Sequence, residues 1–322
     1  MVLYIRDAEC RDLIDGDECI QLIEDLFRQE GEGKVENRPT TELKLPKGIL
    51  RLKAGGTYGL NTFGFKAYPA GGRYLVFVYD LDTGLDGIVE ARGLTEARTG
   101  AVSALGTRYM ARPGSETMGI IGTGREARAQ LNYIAKVAPL KLVKAYSRSA
   151  ENRETFAKEM SGKLGFEVRA VDSAEECVKD VDIVTTITNA NAPVMEGAWL
   201  SPGTHVNAVG ATTPNRRELD DEAVSRAATV VVEHLPQAKE ECGELLHAEA
   251  NGLFSWSQVV ELKDVLDGSV KVRSADGDIT LFDTIGVGAE DVAVATYALK
   301  RARARGVGIE LPFEPPYNLS SR

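Results

Sequence analysis

The 322 residues predict an α/β fold in which a doubly wound parallel sheet is joined to a mixed α+β domain. Three observations carry that expectation. From Met118 onward short apolar runs alternate with amphipathic stretches, the rhythm of strands linked by crossover helices. The first of these runs ends in a glycine turn that opens a helix. Before residue 114 the rhythm differs, because apolar runs follow one another across glycine turns, as in an antiparallel sheet. The length suits two domains of ~150 residues. We expect 1–114 and 115–288, with 289–322 returning to complete the first.

Within the first domain, Cys19, Ile20, Ile23, Leu26 and Phe27 recur at helical spacing, so the first ~30 residues read as helical. Strands are expected at Gly48–Lys53, Gly64–Tyr68, Tyr74–Tyr79 and Gly87–Ala91, with Asp80–Gly84 as a turn. Thr95–Met110, rich in small residues, reads as a helix. In the second domain, strands at Met118–Gly122, Leu142–Tyr146, Phe166–Val171, Val181–Ile187, Thr204–Val209 and Thr229–Glu233 alternate with helices at Ala127–Ala138 and Ala150–Leu164. Val181–Ile187 is largely apolar and β-branched, with Asp182 its one charged residue, as suits a strand covered on both faces. Asp220 and Asp221 mark a helix N-terminus. Lys239–Leu245 reads as a helix flanked by His234 and His247, Asp264–Asp278 as a solvated loop and hairpin, and Ala289–Arg303 as a helix continued by the basic, solvated face Lys300–Arg305.

Composition excludes several function classes. Against 38 Lys and Arg stand 48 Asp and Glu, a net charge of −10, which argues against a broad nucleic-acid surface. No apolar stretch nears the ~20 residues of a membrane span. The N-terminus has no positively charged or apolar leader segment, so a cytoplasmic chain is expected. Cys10, Cys19, Cys177 and Cys242 lack metal-ligand spacing and read as buried thiols; no metal site is expected. Glycine, at 32 residues, exceeds its usual share of ~7%. Proline, at 12, does not, which points to tight turns rather than disorder.

The run Gly119-Ile-Ile-Gly122-Thr-Gly124-Arg125-Glu126-Ala127 has the G-x-G-x-x-A form of a Rossmann-type dinucleotide fingerprint. Gly122 makes the tight turn, Gly124 admits the pyrophosphate, and Ala127 packs helix on strand, with Arg125 and Glu126 at the helix N-terminus that faces the phosphates. An NAD-selective site usually ends the next strand in Asp or Glu. Here it ends Ser147-Arg148-Ser149, where an arginine and two hydroxyls suit a 2′-phosphate. NADP(H) is therefore favoured and NAD(H) remains possible; alternatively Arg148 is a solvated surface cation. Thr188 and Asn189 follow the fourth strand, where ligands of such sheets bind.

Taken in order, Tyr79-Asp-Leu-Asp-Thr-Gly84, Leu94-Thr-Glu-Ala-Arg98-Thr-Gly-Ala101, the fingerprint, Trp199-Leu-Ser-Pro-Gly-Thr-His-Val-Asn-Ala-Val-Gly210, Arg217-Glu-Leu-Asp220 and Phe282-Asp-Thr-Ile-Gly286 resemble the ornithine cyclodeaminase/mu-crystallin family over nearly the whole chain. The resemblance implies a homodimer, and a substrate that is a small imino or amino acid. Three basic residues would hold the substrate carboxylate, at positions matching Arg51, Lys66 and Arg98. It also implies cofactor contacts from Val209, Gly210, Thr212 and Thr284. Arg51 and Lys66 lie in apolar runs, where a long cation is either paired or lines a polar cleft; a salt-bridged or snorkelling role is the alternative.

One departure narrows the activity. Cyclodeaminases and the alanine dehydrogenases like them carry an Asp at the position of Thr212, and threonine is no general base near neutral pH. The resemblance therefore implies an NAD(P)H-dependent reductase of cyclic ketimines or pyrroline- or piperideine-2-carboxylate. The alternatives are an alanine dehydrogenase-like or iminodicarboxylate-reducing enzyme, ornithine cyclodeaminase, and a non-catalytic NADPH-dependent binding protein. His205, in an apolar strand, reads as a satisfied core histidine.

Overall fold

A computed structural model describes residues 1–313; the 314–322 part of the expected returning segment lies outside them. The chain divides into two compact units, Met1–Arg98 with the stretch from Val287 onward, and Thr99–Gly286. The first division falls inside the helix Arg92–Met110, whose residues beyond Arg98 belong with the second unit: a Cβ on Gly100 would meet Tyr133, and one on Gly106 would meet Phe282.

In the first unit an eight-stranded sheet, counted among the described residues, runs Ile309–Leu311, Val2–Ile5, Gly84–Glu90, Leu75–Asp80, Thr62–Pro69, Gly48–Thr57 and Val35–Asn37, with Thr41–Leu45 also paired to Gly48–Thr57. It is mixed rather than antiparallel, because Val2–Ile5 pairs parallel with Gly84–Glu90. The expectation of helix throughout the first ~30 residues therefore misses a strand. Four residues are too few to show a period, and this strand is held by partners far along the chain. The helix Gly16–Gly31 buries the expected face of Cys19, Ile20, Ile23, Leu26 and Phe27. The strands Val35–Asn37 and Thr41–Leu45 had no sequence signal.

Helix Gly288–Arg305 lies on this sheet. Its approach is set by glycine: a Cβ on Gly55 would stand 2.3 Å from the Ala289 nitrogen, and one on Gly288 2.3 Å from the Ala54 carbonyl carbon. The basic end of this helix is not simply solvated, since Arg301 pairs with Glu18 and Arg303 with Asp86.

The second unit is an α/β fold with a parallel eight-stranded sheet, again among described residues. Its order is Glu167–Ala170, Leu142–Tyr146, Thr117–Ile121, Ile183–Thr186, His205–Ala208, Ile279–Asp283, Ala227–Val232 and Val259–Glu261. All neighbouring pairs are parallel. Apolar clusters cover both faces, one with Ile120, Leu131 and Phe156, the other with Val184, Val206 and Leu281. Strand order reverses between Thr117–Ile121 and Ile183–Thr186, which puts the binding crevice at the carboxyl ends of those strands.

Three local expectations need correcting. The Glu-rich helix is two helices, Leu235–Glu241 and Gly243–Ala250, and His247 lies within the second rather than beyond it. Residues 264–278 hold no hairpin; the helix Leu262–Leu266 leads into a loop and then into the strand Ile279–Asp283. The fingerprint helix is shorter, Arg125–Ile134. Among the described residues no helix is long and apolar enough to cross a membrane.

Candidate functional site

Each unit gathers one set of functional side chains. In the second unit, the carboxyl ends of three adjacent strands surround a cavity of about 1080 Å³ whose wall includes Gly122, Gly124, Ser147, Arg148, Ser149, Thr188 and Asn189. Gly122 has φ +111°, and a Cβ there would stand 2.2 Å from the Ile187 carbonyl oxygen. Only glycine fits, on both counts. Gly124 caps helix Arg125–Ile134, and nothing lies within 4 Å of where its Cβ would be. That open space at a helix N-terminus suits a pyrophosphate, and a dinucleotide fits the residues present. Ala127 is fully buried beneath the turn, and Arg125 and Glu126 open the helix.

The polar wall is partly committed to structure. The Ser147 hydroxyl accepts from Thr123 and donates to the Ser149 carbonyl, while the Ser149 hydroxyl caps helix Ala150–Leu164 by accepting from the Asn152 N–H. Arg148 makes no ion pair among the described residues and lines the cavity. Arg128, unremarked in the sequence, donates to the Thr123 and Gly124 carbonyls and so holds the glycine turn.

Val209, Gly210, Thr212 and Thr284 do not line this cavity. Gly210 and Thr188 are instead tied together by Glu218, which accepts from the Thr188 N–H at 2.5 Å and the Gly210 N–H at 2.7 Å. Glu218 is fully buried, and desolvation raises its pKa against the opposing pull of those bonds. Thr284 is buried and donates to Glu233 at 2.6 Å, while the same carboxylate accepts from the Ile285 and Gly286 N–H groups. Burial raises the neighbouring Asp283 to a pKa of about 8. These carboxylates shape the loops at the sheet edge. Sequence reading missed them because a lone Glu in Arg-Glu-Leu-Asp looks like any helix-start acid. His205 is the expected core histidine: its ring nitrogens meet Thr280 at 3.0 Å and Asn207 at 3.1 Å, and burial holds it neutral with a pKa of about 3.

In the first unit, Lys66 and Arg98 converge on the first turn of helix Gly288–Arg305. The Lys66 ammonium lies 2.9 and 2.8 Å from the two Asp291 oxygens. Arg98 reaches Glu290 at 3.1 Å and Asp291 at 3.3 Å. Strand register sets Lys53 directly opposite Lys66. Lys53, Lys66 and Arg98 are all at most 5% exposed. Burial brings the Lys66 pKa down to about 7; Asp291 opposes this, while Arg98 and Lys53 add to it. Asp291 stays below the usual carboxylate range, because Lys66 and Arg98 outweigh its own desolvation.

Arg51 does not join this group. Its register places it opposite Glu42, to which it is bonded at 2.7 Å, and it is half-buried. The structure thus brings together two of the three expected cations, and adds Lys53, Glu290 and Asp291, which the sequence reading did not single out. An acidic pair in the first turn of a helix is ordinary in sequence, since the macrodipole favours it anywhere.

Known proteins carry the same arrangement of chain. The sequence model of the Ornithine cyclodeaminase/mu-crystallin family matches residues 1–306. A Delta(1)-pyrroline-2-carboxylate reductase of Bacillus cereus is 36% identical over 241 residues, 74% of each chain. The structure of Thermococcus litoralis Delta(1)-pyrroline-2-carboxylate reductase in complex with NADH and L-proline is similar with a TM-score of 0.92 at 30% identity, covering 96% of this chain and 100% of that one. The iminosuccinate reductase of Paracoccus denitrificans in complex with NAD+ gives 0.90 at 27% identity, covering 97% and 99%.

Proposed function

The chain belongs to the ornithine cyclodeaminase/mu-crystallin family, and from that premise we propose that it is an NAD(P)H-dependent reductase of small cyclic α-imino acids, of the pyrroline- or piperideine-2-carboxylate kind. The observation that carries this reading is Lys66: an ammonium buried beside a carboxylate with its pKa brought to about 7. Such a group holds a proton and can release it near neutral pH, which imine reduction requires and mere binding does not.

A dinucleotide held there would supply the hydride for the C=N carbon. The protein's part is orientation and proton handling. Gly122, Gly124 and the N-terminus of helix Arg125–Ile134 would hold the pyrophosphate, and Arg148, on the cavity wall, would favour NADP(H) by pairing with a 2′-phosphate. Arg98 and Lys66 hold the substrate carboxylate, with the guanidinium fork of Arg98 fixing its plane. Lys66 gives the proton that the imine nitrogen takes up. Thr212, a hydroxyl where cyclodeaminases carry a carboxylate, favours reduction over loss of ammonia. A homodimer belongs to the same reading, as in the archaeal alanine dehydrogenase dimer with bound NAD.

Replacing Lys66 by Met should abolish imine reduction while leaving dinucleotide affinity, read by cofactor fluorescence, within about twofold. Loss of both together would mean that Lys66 is structural.

A further inference from the structure

Like charges directly opposite on paired strands repel, so the Lys53–Lys66 pair needs a reason to persist. The reason lies in the helix above. Gly55 and Gly64, on the same face of their strands as Lys53 and Lys66, let helix Gly288–Arg305 approach, and its first turn delivers Asp291 to within 2.9 Å of the Lys66 nitrogen. The groups facing Lys66 are then Lys53 on the neighbouring strand, Arg98 on helix Arg92–Met110, and Asp291 with Glu290 on helix Gly288–Arg305. Tyr68 on its own strand adds a ring face with its centroid 5.1 Å away. Val76, the partner on the other neighbouring strand, is apolar.

We propose that Asp291 and Lys53 are positioning residues that act on Lys66 in opposite senses. Asp291 holds the ammonium in place and favours its charged form, and Lys53 disfavours that form. Both act through Lys66, Asp291 by direct contact with its ammonium. A lone buried ammonium would lose its proton outright, and an ammonium with only a carboxylate beside it would not give the proton up. The opposed pair leaves Lys66 poised between the two, which agrees with the direction of its shift: burial first, Asp291 against it, Arg98 and Lys53 with it. That this poise serves reduction rests on the function proposed above; the poise itself does not.

The test separates the two. In the full chain carrying [ε-13C]lysine, the Lys66 signal is identified by its absence from K66M and titrated in wild type, D291N and K53Q. An opposite charge at this distance shifts a pKa by about 1–3 units. The Lys66 midpoint should therefore fall by about one unit or more in D291N, and should rise in K53Q. The alkaline limb of the pH profile of kcat/KM should move the same way in each variant. Midpoints that stay put, or move in the same direction in both variants, overturn the inference. Midpoints that move as stated under a fixed kinetic limb uphold it and overturn instead the proton-transfer role of Lys66. Should D291N fail to fold, K53Q decides alone, since an unmoved midpoint there removes half of the opposed pair.

Discussion

Gly55→Ala should be far more damaging than its single methyl suggests. The glycine does not have a positive φ, so the substitution costs nothing in backbone strain. The cost is steric. The new Cβ would stand 2.3 Å from the Ala289 nitrogen, 2.8 Å from its Cα and 2.9 Å from the Asn37 Oδ1. Two of these are backbone atoms of a helix and cannot rotate aside. Overpacking of this kind costs about 1–3 kcal/mol. Displacing the Ala289 N–H from Asn37, with which it bonds at 2.9 Å, adds roughly 1 kcal/mol. Gly162→Ala supplies the control, because nothing lies within 4 Å of its Cβ and it sits on the exposed side of helix Ala150–Leu164. There the same methyl should stabilise by about 0.5–1 kcal/mol. Urea unfolding of both variants should show shifts of opposite sign. Because the helix that Gly55 admits carries Asp291, G55A should also lower kcat/KM, by up to about 100-fold for a shift near 1 Å. An unfolding free energy for G55A within 0.5 kcal/mol of wild type would refute the close approach of helix and sheet, using roughly half the smallest overpacking cost as the threshold.

Two further outcomes can be checked on the purified chain. The folded protein has lowered the Lys66 pKa to about 7 from 10.5, so between those values the unfolded chain keeps a proton that the folded one has given up. Stability should therefore rise with pH across that window by up to about 1.4 kcal/mol per unit, relative to K66M at each pH. Equal slopes for the two proteins from pH 7 to 9 would contradict the depressed pKa. Replacing Arg148 by Ala should weaken NADPH binding by about 10–100-fold and leave NADH unchanged, given the ~1.5–3 kcal/mol of a charged hydrogen bond. Equal losses for both cofactors in equilibrium titrations would assign Arg148 to the fold instead.

What could be read in advance followed how local the physics is. Leu142–Tyr146 and Ala150–Leu164 have the boundaries the sequence indicates, because apolar alternation, the Ser149 cap and the left-handed Gly165 all act within a few residues. The glycine fingerprint was legible for the same reason. Val2–Ile5 was not, since its partners Gly84–Glu90 and Ile309–Leu311 lie far along the chain. The candidate cofactor residues of the second unit were thus more legible than the charged cluster of the first. Lys66 and Arg98 could be nominated from family likeness, but Asp291, Glu290 and Lys53 come to them through register and helix docking, which no spacing rule encodes. Arg51 shows the converse: a cation in an apolar strand run whose charge is met by Glu42 on the adjacent strand.

Reduction of a preformed cyclic imine is read most directly from the oxidation of NADPH and NADH followed at 340 nm with such an imine and no ammonia. We expect turnover with pyrroline- or piperideine-2-carboxylate that needs no added ammonia and disappears in K66M. Oxidation that occurs only with an oxo acid together with ammonia, or with none of these substrates, would contradict it.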